Sequence, residues 1–426
     1  MWKLKLLASL ILRRYHPDVV AVTGSVGKTS TVQAIAAVLS GTFAVRRNYK
    51  NYNNEIGTPL TIIGAHSPGR SPVQWLVVFL RAARLLVWRD AGYPHVLILE
   101  MGADHPGDLA YLTSFVPLKI GVITAVGEAH LEFFETVERI AKEKSELVRV
   151  LPKHGLAILN ADDPRVMEMG KKTKASVLSF GFAVNADIRA LEVNVSHEGN
   201  YRDVATLQGV SFKVQHGGSI VPVLLPKVLG KQMVSAALAA VAVGLAFNLD
   251  LVTIVERLKN FESPPGRMHL IDGVKYTLLI DDTYNSSPAA LHSALTQLQL
   301  VTLPEHSRKY AVLGAMLELG AQTEALHRQA GQAVARSGVD YLISVGEVAR
   351  DFVRGAVAAG MPTDRCFEFS DTDSAGRFLQ QHIKQGDLLL IKGSQGSRME
   401  KIVKELMAEP QRAEELLVRQ DASWGN

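Results

Sequence analysis

From Val19 to about residue 160, short apolar runs alternate with stretches of helical period: VVAVT then TVQAIAAVL, VLILEMG then DLAYLT, KIGVIT then ERIAKEKSELV, and last GLAILN. Continuous apolar runs of this length suit strands buried on both faces, and helices between them predict a mostly parallel sheet. Residues 186–226 read differently. There ALEVNV, GVSFKV and IVPVLL alternate apolar with polar positions and are separated by glycine and asparagine, which predicts an antiparallel insert. SAALAAVAVGLAFNL and DLVTIVERLKNF then read as helices, and SPPGR at 263–267 is a hinge-like break. Beyond it YTLLID, YAVLGAM, DYLISVG and DLLLIKG resume the strand and helix alternation, so a second α/β domain is expected from residue 266. The expected boundaries are an N-terminal helix at 1–16, a first domain at 17–265, a second at 266–408 and a charged, peripheral tail at 409–426.

Composition narrows the function more than the fold. A chain of 426 residues with 47% hydrophobic and 21% charged positions is ordinary globular material with room for two or three cores. A net charge of +4, with no Lys/Arg block interleaved with aromatics, argues against a nucleic-acid partner and leaves acidic small substrates compatible. Cys366 is the single cysteine, which excludes an intrachain disulfide or an all-cysteine zinc site and suits the reducing cytoplasm. The opening MWKLKLLASLILRRY has no small-residue cleavage site, and Lys3, Lys5, Arg13 and Arg14 leave too short an apolar stretch to cross a bilayer. It reads as an amphipathic helix. SPVQWLVVFLRAARLLVW at 71–88, broken by Arg81 and Arg84 and bounded by Trp75 and Trp88, is a second such segment. Two readings stay open: peripheral association with the inner membrane face, or a pair of helices packed together as a cap on the first domain.

The densest chemistry lies in AVTGSVGKTSTV at 21–32. A strand ending at Thr23, a turn of Gly24, Ser25, Val26 and Gly27, and then Lys28, Thr29 and Ser30 opening a helix aim backbone N–H groups and a helix N-terminus at one point. Lys28 suits β- and γ-phosphates and Thr29 a magnesium ion. The eight-residue phosphate loop wants a glycine six positions before Lys28, where this chain has Val22, so the loop is shorter than that pattern. The fold class expected is therefore α/β, with a P-loop-type central sheet carrying the antiparallel insert and a C-terminal Rossmann-like α/β domain. Glu100 closes a later strand and His130 follows another. Ligands bind at the C-terminal ends of strands in open parallel sheets, so both are candidate magnesium or substrate ligands. Singly, Glu100 also reads as a solvated strand-end acid and His130 as a capping residue.

TGSVGKTS, NNEIGTPL, LEMGADHPGDL, AHLEFF followed by AKEKSEL, PGRM, IDDTYNSSP, LGAMLELG followed by LHR, and KGSQGSRME occur in one order from about 20 to 400. In these motifs the chain resembles the Mur ligases, and among them the members that add D-alanyl-D-alanine to a muramoyl peptide precursor of the bacterial cell wall. The family's own loop is T-G-x-x-G-K-[ST], so Val22 is ordinary for it. The resemblance implies an ATP-dependent reaction through an acyl phosphate, with ATP and two magnesium sites. It implies Thr29 and Glu100 as ligands of one magnesium, His130 as a ligand of the second, and Lys144 as a carbamylated lysine whose added carboxylate supplies oxygens. Lys142 competes for that role, but two residues apart on a helix the two lysines face different ways. It further implies that Arg267 reaches ATP phosphates as the domains close, that Asp282, Tyr284 and Asn285 hold ribose and adenine, and that Asn53, Asn54 and Glu55 meet substrate. Lys392, Ser394 and Arg398 then receive the incoming amine, whose terminal carboxylate a cation can pair. Glu318 and His327 fall in a matching segment without an assigned role.

Three departures qualify the resemblance. It starts near residue 20, so no counterpart is expected of the domain with which the family grips a uridine-diphosphate sugar, and the donor stays open between a nucleotide-linked and a lipid-linked muramoyl peptide. Gln232, Met233 and Ala236 stand where the family commonly has histidine and asparagines, and Ala315 stands where relatives usually have aspartate. The rival expectations are a ligase for another amino acid, of the folate polyglutamylating or pseudomurein type, and a catalytically silent nucleotide-binding scaffold. A monomer is expected.

Overall fold

The computed structural model describes residues 2–48, 52–127, 131–197 and 206–420. Contacts divide the chain into two compact units. The first holds the chain up to Val193 together with Phe212–Val223 and Lys231–Phe261; the second holds Leu224–Gly230, the described residues of Asn194–Ser211 and everything from Glu262.

The first sheet runs through β1 (Asp18–Thr23), β2 (Val45–Arg47), β3 (Val96–Glu100), β4 (Ile120–Ile123), β5 (Leu156–Asn160), β6 (Ser176–Gly181), β7 (Ile188–His197), β8 (Leu207–His216) and β9 (Ser219–Pro226). Their spatial order is β2-β3-β1-β4-β5-β6-β7-β8-β9, with every pair from β2 to β7 parallel. Val19 to Thr23 and all of β3 are buried, as expected of continuous apolar runs in a covered sheet. β8 and β9 are joined by Gly217 and Gly218, at φ +54° and +82°, the left-handed pair that a two-residue hairpin turn needs.

Around this sheet lie α1 (Trp2–Tyr15), α2 (Lys28–Leu39), α3 (Gly57–Ile63), α4 (Pro72–Val87), α5 (Asp108–Thr113), α6 (Leu131–Phe134), α7 (Val137–Arg149), α8 (Pro164–Glu168), α9 (Lys231–Ala246) and α10 (Leu251–Leu258). α9 is buried along its length from Met233 to Gly244 and packs on α2. A Cβ at Gly244 would fall within 3 Å of Val38 and Ile254, so the absence of a side chain there permits this close packing. α1, α3 and α4 pack against one another, and Leu4, Ala8, Ile11 and Leu12 of α1 share a core with Val78, Ala82 and Leu85 of α4. Tyr15 clamps that pair by donating to the carbonyls of Leu85 and Trp88, at 3.1 and 3.2 Å. The cap foreseen for the two N-terminal segments is therefore present.

The second sheet has order β10-β11-β15-β12-β13-β14, built from β10 (His269–Gly273), β11 (Thr277–Asp282), β12 (Lys309–Gly314), β13 (Tyr341–Val345), β14 (Cys366–Phe369) and β15 (Leu388–Lys392). Only the β10–β11 pair is antiparallel. The described part of the tail, expected to be peripheral, contributes to the core instead: Ala413 and Leu417 are 3% and 4% exposed and belong to this unit's core. Their apolar side chains sit among charged neighbours in sequence, which masked them.

Candidate active site

At the C-terminal edge of the first sheet, β1 runs into Gly24. A Cβ there would lie 1.9 Å from Thr124 Oγ1, so only glycine lets the turn pass so close to the strand beside it. Gly27 precedes α2 at φ +83° and no side chain caps the helix, leaving its first N–H groups for an incoming acceptor. The turn is braced from the residues after β4. Ser25 N donates to Ala125 O at 2.8 Å, Gly127 N donates to Ser25 Oγ at 3.0 Å, and Thr124 Oγ1 donates to Val26 O at 2.6 Å. Asp163 in turn accepts Val126 N at 2.7 Å, and Asn160 donates to Thr124 O at 2.7 Å. Lys28 folds back over the turn and donates to Gly24 O at 2.9 Å. Thr23 and Ser30 are buried; Thr23 Oγ1 ties β1 to Met101 O at 2.8 Å, while Val26 is exposed at the tip.

Parallel register sets Val22 beside Glu100, so the end of β3 arrives next to α2. Thr29 Oγ1 donates to Glu100 Oε2 at 2.9 Å and Asn53 Nδ2 donates to Glu100 Oε1 at 3.0 Å. Glu100 is 4% exposed, so this carboxylate is held on both oxygens within the protein. Asn48, equally buried and not foreseen from sequence, accepts Glu100 N at 2.5 Å and donates to Tyr52 O. Asn54 braces the turn that leads into α3, accepting Ile56 N and Gly57 N at 3.2 and 2.9 Å, and Glu55 is half-buried beside it. A hydroxyl and a carboxylate meeting at one point are hard oxygen donors, so Thr29 and Glu100 fit a magnesium ion.

α7 turns the two lysines into different surroundings. Thr136 caps it, accepting Arg139 N at 3.2 Å, and its buried face carries Ile140, Glu143, Lys144, Leu147 and Val148. Lys144 is 4% exposed whereas Lys142 faces solvent. Burial first, and the charge of Lys28 second, lower the Lys144 ammonium from its ordinary range to about 7, against the opposing pull of Glu143 and Asp104. Glu143 accepts Gly107 N and Leu109 N at 2.9 and 2.8 Å at the start of α5. His130 lies outside the described residues.

In the second unit the expected ligands serve one another. Asp282 Oδ2 accepts Lys392 Nζ at 2.6 Å and its Oδ1 accepts Met268 N at 3.2 Å, while Lys392, 2% exposed, also donates to Asn285 O at 2.9 Å. Asp281, fully buried, accepts Gly266 N at 3.0 Å and the Thr283 hydroxyl at 2.6 Å, and burial pushes its carboxyl up to about 6. Arg267 stacks on Tyr284, 4.1 Å from guanidinium carbon to ring centre, and Asn285 is exposed. Ser394 Oγ donates to Ser286 O at 3.1 Å and accepts Leu317 N at 2.9 Å. Arg398 and Arg419 both bind Glu400, at 2.6 and 2.9 Å. His327 accepts Met316 N at 3.0 Å and holds Thr323 O at 2.7 Å, which ties the LGAM segment to the following helix, and Ala315 is buried. On α9, Gln232 is exposed while Met233 and Ala236 are buried.

An uncapped helix behind a glycine turn, a lysine over it, and a hydroxyl–carboxylate pair at the adjoining strand end define a P-loop protein that handles nucleoside triphosphate and magnesium. The particular kind follows from comparison. The Mur ligase middle domain matches residues 84–244, and the Mur ligase glutamate ligase domain matches residues 266–395. The UDP-N-acetylmuramoyl-tripeptide–D-alanyl-D-alanine ligase of Escherichia coli K12 is 30% identical over 405 residues, covering 94% of this chain and 79% of that protein. Its namesake from Mycobacterium tuberculosis H37Rv is 32% identical over 413 residues, covering 92% and 73%. The chain belongs to the Mur ligase family, whose members are ATP-dependent, ADP-forming ligases. Among solved structures, MurF from Acinetobacter baumannii superposes with a TM-score of 0.76 at 27% identity over 94% of this chain and 79% of that one. MurF from Thermotoga maritima in complex with ADP does so with a TM-score of 0.75 at 26% identity over 96% and 84%. A pseudomurein peptide ligase at 16% and a folylpolyglutamate synthase at 17% share the fold.

Proposed function

We propose that this ligase joins D-alanyl-D-alanine to the peptide of a muramoyl precursor, serving peptidoglycan synthesis and through it cell shape and division. It acts as a monomer in the cytoplasm, in part at the inner face of the membrane. The assembly of Lys28, Thr29, Glu100 and Lys144 around one glycine turn carries the reading. The precursor's terminal carboxylate attacks the γ-phosphorus of ATP, forming an acyl phosphate and releasing ADP. The dipeptide amine then attacks the acyl carbon, phosphate leaves, and the amine gives up one proton as the amide forms.

Gathering a carboxylate and a triphosphate concentrates negative charge, which Lys28 and the α2 N-terminus offset. Magnesium held by Thr29 and Glu100 would withdraw charge from the phosphoryl oxygens. Lys144, lowered to about 7, is substantially a neutral amine near neutral pH. That form adds to carbon dioxide and releases a proton, turning a repelling cation into a carbamate able, with His130, to hold the second ion. Arg267 supplies charge to phosphates, while Tyr284 and Asn285 face the nucleoside with Asp282 holding their segment. Asn53, Asn54 and Glu55 form the precursor side, and Lys392, Ser394 and Arg398 shape the amine side from inside their own unit.

The test is the mass of the product formed from ATP with soluble UDP-muramoyl tripeptide and D-alanyl-D-alanine, with other amino acids offered in parallel. One equivalent of ADP per amide is expected. Phosphate release that no acid and amine pair stimulates overturns the reading in favour of a scaffold.

A further inference from the structure

Helix α4 is apolar on the face it buries and apolar on the face it shows to water. Val78, Ala82 and Leu85 turn into the core with Trp75, Phe79 and Leu86 partly buried behind them. Val73, Leu76, Val77, Leu80 and Val87 follow the helical repeat along the opposite side, each between 58% and 72% exposed, and Trp88 continues the stripe. α1, packed beside α4, buries Leu4, Ala8, Ile11 and Leu12 and presents Trp2, Leu6 and Leu10 outward. A helix whose outer side meets only water carries polar groups there, and contiguous apolar faces mark interaction sites. The exposed charged groups beside these stripes are cations, Lys3, Arg13, Arg14, Arg84 and Arg89, and residues 2–17 and 71–89 contain no acid.

We propose that the outer face of α1 and α4 is a docking surface for an anionic bilayer, with the apolar stripes seated among the headgroups and the arginines on lipid phosphates; this rests on, and gives a physical basis to, the membrane location proposed above. At about 1.5 Å per residue α4 is about 24 Å long, short of the roughly 30 Å hydrocarbon core, and among the described residues no helix is long and apolar enough to cross. Trp2 and Trp88 at helix ends suit the interface, where indole is both apolar and wet. A second copy of this chain fits less well, because a two-fold pairing of the face brings its cations onto one another with no acid to meet them.

The full chain is floated with vesicles of phosphatidylcholine containing one-third phosphatidylglycerol, with pure phosphatidylcholine vesicles alongside, at low and high salt. Binding to the anionic vesicles is expected, about tenfold or more above the neutral ones and falling with salt. Leu76→Asp with Leu80→Asp is expected to cut it about 100-fold, and Arg84→Glu with Arg89→Glu to remove the preference for anionic lipid. Absence of binding to both vesicle types, or undiminished binding by the leucine variant, overturns the proposal. So does a dimer in sedimentation that the leucine variant abolishes without any vesicle binding, which assigns the face to a second copy. Ligation of soluble substrates is followed on the same preparations. Lost flotation with retained ligation shows the variant is folded and supports the surface, whereas flotation without ligation leaves the surface standing and removes the proposed reaction.

Discussion

Lys28 and Lys392 both stand where a parallel strand gives way to the following segment, and their surroundings treat the charge in opposite ways. Lys28 lies on the carbonyl of Gly24 beside an uncapped helix, and its field helps drive the proton from Lys144. Lys392 is enclosed against Asp282 at 2.6 Å, while Arg398 and Arg419 share Glu400. A lysine set over a glycine turn beside uncapped helix N–H groups suits a phosphate. Lys392 and Asp282 cancel each other's charge, and an enclosed pair of this kind holds a shape.

Replacing each lysine by methionine tests the contrast at its widest. Lys28→Met is expected to lower ATP-dependent ligation about 10⁴-fold, some 5.5 kcal/mol of transition-state stabilisation, with thermal stability little changed. Lys392→Met leaves the largely enclosed Asp282 without its ammonium and is expected to cost about 3 kcal/mol in urea unfolding. Equal stability losses in the two variants would erase the distinction.

Asp281 offers the next largest effect, through pH. Its native carboxyl is raised from 3.8 to about 6, because burial disfavours the charge more than its hydrogen bonds support it. Between those values the native chain holds a proton that the unfolded chain has released, so this group's contribution to stability is full below the unfolded value and is lost as pH rises through about 6. Asp281→Asn has no such proton. Its stability relative to the parent is therefore expected to rise by about 3 kcal/mol across that window, roughly two units at 1.36 kcal/mol each. A difference that stays flat with pH, measured by denaturant titration, contradicts the assignment.

What was legible in the sequence follows the same division. Strands buried on both faces leave runs such as VLILE, and a phosphate loop is contiguous, so the first sheet and Lys28 could be read directly. Helical spacing separated Lys142 from Lys144, and the packing of α7, which a sequence does not show, is what buries Lys144. Asn48 left no signal, being a neutral residue that meets Glu100 across 52 positions of chain. The pairing of Lys392 with Asp282 was equally hidden, because the two lie 110 residues apart. Ala413 and Leu417 were hidden among charges, and the 71–88 segment, read as amphipathic, proved apolar on both sides.

Asn53 gives the finest test, since it is uncharged and stands at the edge of the first arrangement. The motif suggested contact with substrate; the geometry has its amide donate to Glu100 Oε1 at 3.0 Å while its backbone carbonyl accepts Gly102 N at 2.8 Å. Asn53→Ala keeps the backbone bond and removes only the donor, freeing one carboxylate oxygen to turn. If Asn53 acts by positioning Glu100, kcat is expected to fall about tenfold, near 1.4 kcal/mol, with more magnesium needed for half-maximal rate and KM for the muramoyl peptide unchanged. If it touches the precursor itself, KM rises at constant kcat, because binding lost equally in ground and transition states leaves the chemical step alone. Asn53→Asp separates the two further: a second carboxylate beside Glu100 replaces a donor with a like charge, so the positioning role predicts a deeper kcat loss that lessens at high magnesium, where the ion offsets the added charge.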